Sequence, residues 1–150
     1  LIGLENISVL TAECGDGEGM GRIGDIPGDM TLGMLSVKVK EALGLDAVRV
    51  VGNLSSKVKK AALCTGAGMD FLDDAIDAGC DVFITADVRY HEAMDAIDKN
   101  IALIDGTHYA TENIIVPVLA DYLRKKLSNR GVRDVEVLES SVDGQTFVHI

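Results

Sequence analysis

The sequence predicts an α/β fold in which helices flank a mostly parallel or mixed sheet. Three strand-loop-helix units follow one another between residues 61 and 127, and successive units of this kind form parallel strands with right-handed crossovers. The predicted strands are nearly continuous apolar runs, as expected when both faces of a sheet are covered. With 150 residues, 47% of them hydrophobic, the chain can form one such domain with its own core.

The first fifty or so residues contribute a loop, a helix and a strand to this prediction. Residues 13–29 are rich in glycine and lack apolar periodicity, so we expect a long loop there, of a length that is often functional. Thr31 is placed to cap a helix that runs to Leu43 and ends at Gly44. Residues 47–51 form the first predicted strand.

The rest of the chain alternates strands with helices. Pro117 lies inside the last helix and should bend it, because proline removes one backbone hydrogen bond. A hairpin across residues 142–144 completes the prediction, and His149 is expected to point outward from its second strand. The predicted strands are residues 60–64, 81–85, 101–104, 134–138 and 146–150, and the predicted helices are residues 69–78, 87–97 and 108–127.

The charge balance argues against nucleic acid and membranes as partners. The formal net charge is −10, whereas proteins that bind nucleic acid usually present a basic face. The densest basic run, residues 124–126, lies near a predicted helix C-terminus, where cations stabilise the helix dipole. No apolar run is long enough to span a bilayer, and no secretory signal is recognisable.

Three cysteines, Cys14, Cys64 and Cys80, indicate a reducing, cytoplasmic compartment. Their number is odd and no CxxC spacing occurs, so free thiols are the simplest interpretation. Cys64 and Cys80 adjoin apolar runs and are expected as small core residues. A nucleophilic role for Cys64 is an alternative that would require a nearby base.

His108 and Glu112 form the strongest candidate pair of metal ligands. They follow the apolar run of residues 101–104, and their spacing of four places both side chains on one face of a helix at its first turn. This position matters because chemistry in open α/β sheets gathers at the carboxyl ends of strands. A neutral imidazole and a carboxylate suit zinc, manganese, iron or cobalt. The alternative is that Glu112 stabilises the helix N-terminus and His108 makes only a local hydrogen bond.

Other predicted loops carry further candidate residues. Asp87 and His91 are also four apart: either Asp87 caps a helix and a neighbour satisfies His91, or both form a second cluster with His91 as ligand-shell residue, acid or base. Gly66 and Gly68 form either a tight turn or an amide cradle for phosphate. Arg22 either lies on the surface or reaches an anionic ligand.

Four segments together resemble the dinuclear-metal-centre family, also known as type 2 GTP cyclohydrolase 1 homologues or NGG-interacting-factor-three-like proteins. The segments match the C-terminal half of such proteins in order and spacing, and their combination is more specific than any single segment. They are GMGRIGDIP at 19–27, KKAALCTGAGMDFL at 59–72, AGCDVFITADVRYHEAMDA at 78–96 and IDGTHYATEN at 104–113.

The resemblance implies two α/β lobes with a two-metal site in the cleft between them, and ring-shaped homohexamers of the full-length protein. It implies that His108 and Glu112 bind the metals and that His91 lies in the same pocket. The remaining ligands of such proteins come from an N-terminal half that nothing here matches. We therefore expect residues 1–150 to be a single lobe, the C-terminal part of a longer protein, without the N-terminal metal-ligand lobe.

The function that the resemblance implies is metal-dependent hydrolysis. Two divalent ions, which could be Zn, Fe, Mn or Co, would activate water against a nucleotide-like substrate. Asp87 or His91 would orient the water or carry a proton. The alternative is a non-catalytic metal-binding scaffold or a regulatory interaction protein. The chain alone is expected to hold an incomplete metal site and to be inactive.

Two short segments depart from the family pattern. The chain has Thr-Ala-Asp at residues 85–87, where the family usually has Thr-Gly-Asp. It has Asp-Gly-Thr-His at residues 105–108, where the family usually has Asp-Ala-Gly-His. Both segments keep the spacing of the candidate ligands, so the departures concern the geometry of the loops more than the metal site.

Overall fold

The computed structural model describes residues 1–14 and 17–147 and confirms an α/β fold with a mixed sheet. Among these residues the sheet has six strands in the order β1-β2-β4-β5-β6-β3. Strands β4, β5 and β6 are parallel neighbours, and the other pairs are antiparallel. The strands are β1 (Glu5–Cys14), β2 (Glu18–Thr31), β3 (Arg49–Val51), β4 (Lys57–Leu63), β5 (Val82–Thr85) and β6 (Ala102–Asp105).

Helices cover both faces of the sheet. A 3-10 turn, Met69–Phe71, leads into the second helix. In the described part of the chain, no helix is both long and apolar enough to cross a membrane. The helices are α1 (Leu32–Ala42), α2 (Leu72–Asp77), α3 (Tyr90–Asp98), α4 (His108–Asn113) and α5 (Ile115–Asn129).

The core has two layers because successive residues of a buried strand point to opposite faces. Phe83 of β5 and Leu103 of β6 pack in one layer with apolar residues of α2 and α3. Val82 of β5 and Ile104 of β6 pack in the other layer with Leu32, Leu35 and Val39 of α1. All four residues of β5 are buried, which explains the continuous apolar run.

The loop expected at residues 13–29 is wrong, because β2 occupies most of that segment and pairs with β1 on one side and β4 on the other. The glycines of this segment allow close backbone contacts and unusual backbone conformations within the strands. A Cβ at Gly19 would lie 2.0 Å from the Thr11 carbonyl oxygen, so the two backbones approach too closely for a side chain. Gly21 has a φ of 63°. Glycine in a strand interior marks a close backbone approach or an irregularity. In β2 the glycines interrupt the alternation of apolar and polar residues from which strands are predicted.

The helix expected after Thr31 is confirmed as α1. The hydroxyl of Thr31 accepts a hydrogen bond from the Met34 amide at 3.2 Å, which satisfies one of the free N–H groups of the first turn. Gly44 follows the C-terminus with a φ of 66°, a conformation that glycine adopts without a steric penalty.

The single long helix expected from residue 108 is broken into α4 and α5 at Ile114. Pro117 accounts for the break. Proline has no N–H to donate to the carbonyl four residues earlier, and its ring collides with that carbonyl. The residue four positions before Pro117 is Asn113, which ends α4. The predicted bend is therefore a complete interruption, and it separates a short helix that carries the candidate ligands from a long one.

The hairpin expected near the C-terminus is wrong for the residues that the structure describes. Residues 134–147 form no strand. The side chains of Ser140, Asp143 and Gln145 each accept a hydrogen bond from a backbone amide two residues later, which competes with pairing in a sheet. His149 and the remainder of the second predicted strand lie outside the described residues.

Candidate functional site

The carboxyl ends of β4, β5 and β6 bring three loops together, as the sequence predicts. Thr85 ends β5, and its hydroxyl donates to the Gly66 carbonyl at 3.1 Å and accepts from the Gly68 amide at 3.0 Å. The Gly106 amide donates to the Thr85 carbonyl at 2.9 Å. The hydroxyl of Thr111 in α4 accepts from the Gly66 amide at 3.0 Å. These hydrogen bonds hold the three loops and α4 as one unit.

His108 and Asp87 meet at this edge of the sheet, although 21 positions separate them in the sequence. The ring Nδ1 of His108 lies 2.6 Å from Oδ2 of Asp87. An ionised carboxylate can only accept a hydrogen bond, so Nδ1 is the donor. A neutral ring in this state keeps its lone pair on Nε2. A histidine that binds a metal through one nitrogen commonly donates the other N–H to a carboxylate in this way.

Glu112 lies on the other side of the His108 ring. Its Oε1 approaches Nε2 to 3.3 Å, and both side chains are about half exposed to solvent. Gly66 keeps the space beside these two atoms open, because a Cβ at residue 66 would lie 2.6 Å from Oε1 and 3.2 Å from Nε2. The predicted pairing of His108 with Glu112 on one helical face is therefore present, with a glycine turn as the facing wall.

The two carboxylates favour positive charge on the His108 ring. The hydrogen bond to Asp87 has the largest effect and raises the pKa of His108 above its ordinary value of 6.5, while partial desolvation acts in the opposite direction. The negative charge of Glu112 raises that pKa further. Since Nε2 faces a carboxylate oxygen, the neutral ring is repelled there unless a proton or another cation lies nearby.

The donor set fits part of a metal site. The imidazole Nε2 and the Glu112 carboxylate are donors that suit zinc and related divalent ions. Asp87 holds the opposite nitrogen, so its carboxylate does not point to the same place. Over residues 1–14 and 17–147 no group of three or more His, Cys, Asp or Glu side chains could hold a metal ion. The described residues thus bring two donors to one point, and protein zinc sites use at least three.

Asp87 and His91 do not share a helical face, which one of the two interpretations of their spacing required. The helix α3 begins at Tyr90, and Asp87 precedes it with a φ of 56°. Asp87 is not the helix cap either, because Arg89 occupies that position and its amide donates to the Glu92 carboxylate at 2.7 Å. His91 is exposed on the first turn of α3, and no hydrogen bond within the described residues joins it to Asp87 or His108.

The glycine turn is a tight turn, which is one of the two interpretations that the sequence allows. The amides of Gly66 and Gly68 are already donated to threonine hydroxyls, so neither is free for a phosphate. The helix that follows is only a 3-10 turn and a six-residue helix. Arg22 is exposed, and its guanidinium donates to the carbonyls of Gly19 and Gly21 at 3.0 and 2.6 Å.

The thiols of Cys64 and Cys80 are buried and free, as predicted for small core residues. Burial raises the pKa of both thiols, which disfavours the nucleophilic thiolate. The Cys64 sulfur contacts the Thr65 carbonyl oxygen at 3.8 Å. A carbonyl is not a base that could activate the thiol as a nucleophile. Cys14 is described only as the end of β1.

Asp105 and Arg49 belong to the site, although the sequence assigns them no role. Asp105 is 4% exposed, and its carboxylate forms an ion pair with Arg49. It also accepts hydrogen bonds from the amides of Val88 and Thr107 at 3.1 and 3.0 Å. The sequence did contain a signal for Asp105, which directly follows an apolar run. A buried aspartate at the end of a strand needs hydrogen-bond partners, so a structural role could have been predicted. Its charged partner depends on the pairing of β3 with β6, which the sequence does not specify.

Comparison with known proteins identifies relatives of the whole chain. The family model described as Duf34/NIF3 (NGG1p interacting factor 3) matches residues 1–145. A Streptococcus pneumoniae protein named GTP cyclohydrolase 1 type 2 homolog is 33% identical over 154 aligned positions, which cover 100% of this chain and 57% of the relative. A Listeria innocua protein of the same name is 38% identical, covering 87% of this chain and 34% of the relative. The chain thus spans only about a third to a little over half of these relatives.

Solved structures agree with the fold. A Bacillus cereus protein related to NIF3 superposes with a TM-score of 0.84 at 31% identity, covering 88% of this chain and 36% of that one. The Staphylococcus aureus protein SA1388 gives a TM-score of 0.81 at 29% identity, with 87% and 37% covered. The similarity in both cases is confined to part of a longer chain.

Proposed function

The chain belongs to the Duf34/NIF3 family, and on that basis we propose that it supplies one side of a two-metal site in a hydrolase-like protein. The observation that carries the proposal is the His108 ring, which Asp87 holds at Nδ1 while Nε2 faces Glu112. The name of the relatives, GTP cyclohydrolase 1 type 2 homolog, suggests the substrate class, a guanine nucleotide or a similar compound.

Each residue at the site has a separate task in this proposal. His108 would bind one divalent ion through Nε2, and Glu112 would bind or bridge ions through its carboxylate. When bound in such a site, Zn, Fe, Mn or Co would lower the pKa of water and so supply hydroxide that can attack an electrophilic carbon. Asp87 keeps the proton of the neutral ring on Nδ1 and so keeps the lone pair on Nε2. His91 is exposed and lies four positions after Asp87 in the sequence. In this proposal it would exchange a proton with solvent.

The proposal assigns the remaining ligands to a part of the protein beyond this chain. Only two donors converge among the described residues, and the chain spans 57% and 34% of the two relatives named above. We propose that a preceding lobe supplies the other ligands, and that residues 1–150 alone are inactive. The free thiols of Cys64 and Cys80 support a reducing, cytoplasmic compartment.

Self-association of the full-length protein, as a homohexamer, is part of the proposal. The long helix α5 supports it, because Ala120 is its one buried residue among those described. Its apolar side chains remain accessible, which is uncommon for a surface without a partner. Those at least half exposed are Ile115, Val118, Leu119 and Tyr122. The molar mass of the complete gene product, measured by light scattering, tests this part.

A metal-binding scaffold or regulatory protein without catalysis is the second candidate. It is favoured by the glycine turn, whose Gly66 and Gly68 amides are occupied by threonine hydroxyls and so cannot bind a triphosphate. The net charge of −10 also offers little attraction to a nucleotide. On this candidate the same two residues, His108 and Glu112, hold metal for structural reasons.

Turnover of GTP by the complete gene product distinguishes the candidates. The variant Glu112→Ala should abolish turnover and lower the metal content, measured by elemental analysis after purification without chelators. Glu41→Ala, an exposed glutamate on α1, is the matched control and should change neither. Turnover that ignores Glu112→Ala would refute the two-metal enzyme. Bound metal without turnover would favour the scaffold.

A further inference from the structure

Asp105 connects Asp87 and His108 by binding the backbone of the residue next to each of them. Its Oδ2 accepts the amide of Val88, which follows Asp87, at 3.1 Å. Its Oδ1 accepts the amide of Thr107, which precedes His108, at 3.0 Å. One buried carboxylate is therefore one peptide away from both partners of the hydrogen bond between His108 and Asp87.

The two loops that carry Asp87 and His108 need these hydrogen bonds because each loop has a strained backbone. Asp87 has a φ of 56° and Thr107 has a φ of 61°, in a region that non-glycine residues rarely adopt. Strained conformations persist when surrounding contacts hold them. Asp105 accepts hydrogen bonds from the amide of Thr107 itself and from the amide of Val88, the residue after Asp87.

Arg49 completes the arrangement from the neighbouring strand. It lies opposite Asp105 in the pairing of β3 with β6. Its guanidinium pairs with the Asp105 carboxylate and also donates to the Val88 carbonyl at 3.1 Å. The amide and the carbonyl of Val88 are thus both bound, one by Asp105 and one by Arg49. The Arg49–Asp105 ion pair thus holds both polar backbone groups of the residue that follows Asp87.

We propose that Asp105 and Arg49 are positioning residues that set the Asp87–His108 hydrogen bond and thereby aim Nε2 toward Glu112. This inference deepens the proposed function and rests on it for the role of the metal, but the positioning itself is a property of the metal-free protein. The arrangement requires both carboxylate oxygens of Asp105 as acceptors. Asparagine has one acceptor oxygen, so its NH₂ group would face either the Thr107 amide or the Val88 amide and the Arg49 guanidinium, all of them donors.

Nuclear magnetic resonance of the histidine rings tests the positioning. In metal-free protein, long-range proton–nitrogen correlation should show neutral His108 protonated at Nδ1, with the signal identified by its loss in His108→Gln. Asp105→Asn should shift the ring toward a mixture of the two tautomers. The matched control is Asp81→Asn, because Asp81 accepts the amides of Lys59 and Lys60 at 2.7 and 3.0 Å at the opposite end of the strands. This control should leave the His108 signal unchanged.

Zinc titration supplies the second measurement. Asp105→Asn should weaken zinc binding by at most about 10–100-fold, the range found when a direct partner of a metal-binding histidine is replaced, because it acts on that partner, Asp87, through the backbone. Arg49→Lys keeps the charge but loses the planar guanidinium, whose Nη2 contacts both the Asp105 carboxylate and the Val88 carbonyl, so a smaller change in the same direction is expected. Arg49 is mostly exposed, so this variant should fold even if Asp105→Asn does not.

The outcomes separate this inference from the proposed function. Unchanged ring signals in both folded Asp105→Asn and Arg49→Lys would overturn the positioning role, as would an equal shift caused by Asp81→Asn. Altered ring signals in a protein that binds no zinc would support the positioning role and refute the metal site.

Discussion

At the scale of single residues, the hydrogen bond between His108 and Asp87 makes the stability of the metal-free protein depend on pH. Because it raises the pKa of folded His108, its contribution is fully present below the ordinary value of 6.5 and is lost as pH rises through the raised folded value. Asp87→Asn keeps the left-handed backbone accessible and removes the charge. The stability lost by this variant should therefore be largest in acid and shrink toward alkaline pH.

Urea unfolding across that range, with chelator present, measures the difference. The effect is expected to be modest, since both side chains are about half exposed and solvent screens them. Asp134→Asn, in the exposed C-terminal segment, is the control and should show no such trend. A stability difference that grows with rising pH would contradict the raised pKa of His108 in the folded protein.

Thr107 carries strain that glycine would relieve. Its φ of 61° and ψ of 148° fall in a region that is essentially restricted to glycine, and its buried hydroxyl has no partner among the described residues. Backbone strain of about 1–3 kcal/mol exceeds the entropy cost of glycine, about 0.5–1 kcal/mol. Thr107→Gly should therefore stabilise the fold by roughly 1 kcal/mol.

Denaturant unfolding of Thr107→Gly beside Thr65→Gly measures this effect. Thr65 is exposed and its φ is not left-handed, so glycine there should destabilise the protein. Equal destabilisation by both substitutions would show that Thr107 is not strained.

At the scale of elements, the start of α1 depends on one side chain. Thr31 ends β2 and its hydroxyl accepts the Met34 amide, so it terminates a strand and caps a helix at once. Thr31→Ala should cost about 1 kcal/mol of stability, the usual value for a lost cap. Thr31→Ser retains the oxygen and should recover most of the loss in denaturant unfolding. If the serine variant is as unstable as the alanine variant, the cap is not the stabilising contact.

The elements that the sequence predicts well are those whose burial is complete. All four residues of β5 are buried, and its apolar run identifies it without tertiary information. The strand β2 fails this test because its glycines serve close backbone contacts, such as that of Gly19 with Thr11 of β1. The pairing of Asp105 with Arg49 depends on the register of β3 with β6, 56 positions apart. Local patterns contain no information about that register.

Contacts of the candidate site between residues close in the sequence were easier to predict than contacts between distant residues. His108 and Glu112 share one helix, so their spacing alone predicts their proximity. The contact of His108 with Asp87 follows from a general rule, since β5 and β6 are parallel neighbours and their carboxyl ends meet. The geometry of Asp87 was missed, because a helix was expected there and the backbone turns through a left-handed φ of 56° instead.

At the scale of the whole molecule, the sheet places the two donors beyond the carboxyl ends of its parallel strands, where both side chains are about half exposed. A zinc titration of the 150-residue chain tests what two donors can hold. Zinc sites built from four protein ligands bind with about 10–16 kcal/mol, and catalytic sites keep three protein ligands. With only His108 and Glu112 converging, we expect at most one ion per chain, bound far more weakly than in such sites.

Calorimetry of the chain and of its variants settles this expectation. His108→Ala and Glu112→Ala should each remove the weak binding, whereas Glu41→Ala should leave it unchanged, because Glu41 is an exposed residue of a different helix, α1. Tight binding of two ions by the isolated chain would show that the ligand set is wrong. Weak binding here, together with tight binding by the complete gene product, would mean that the missing affinity comes from ligands outside these residues, and the site would then be shared between two parts of one protein.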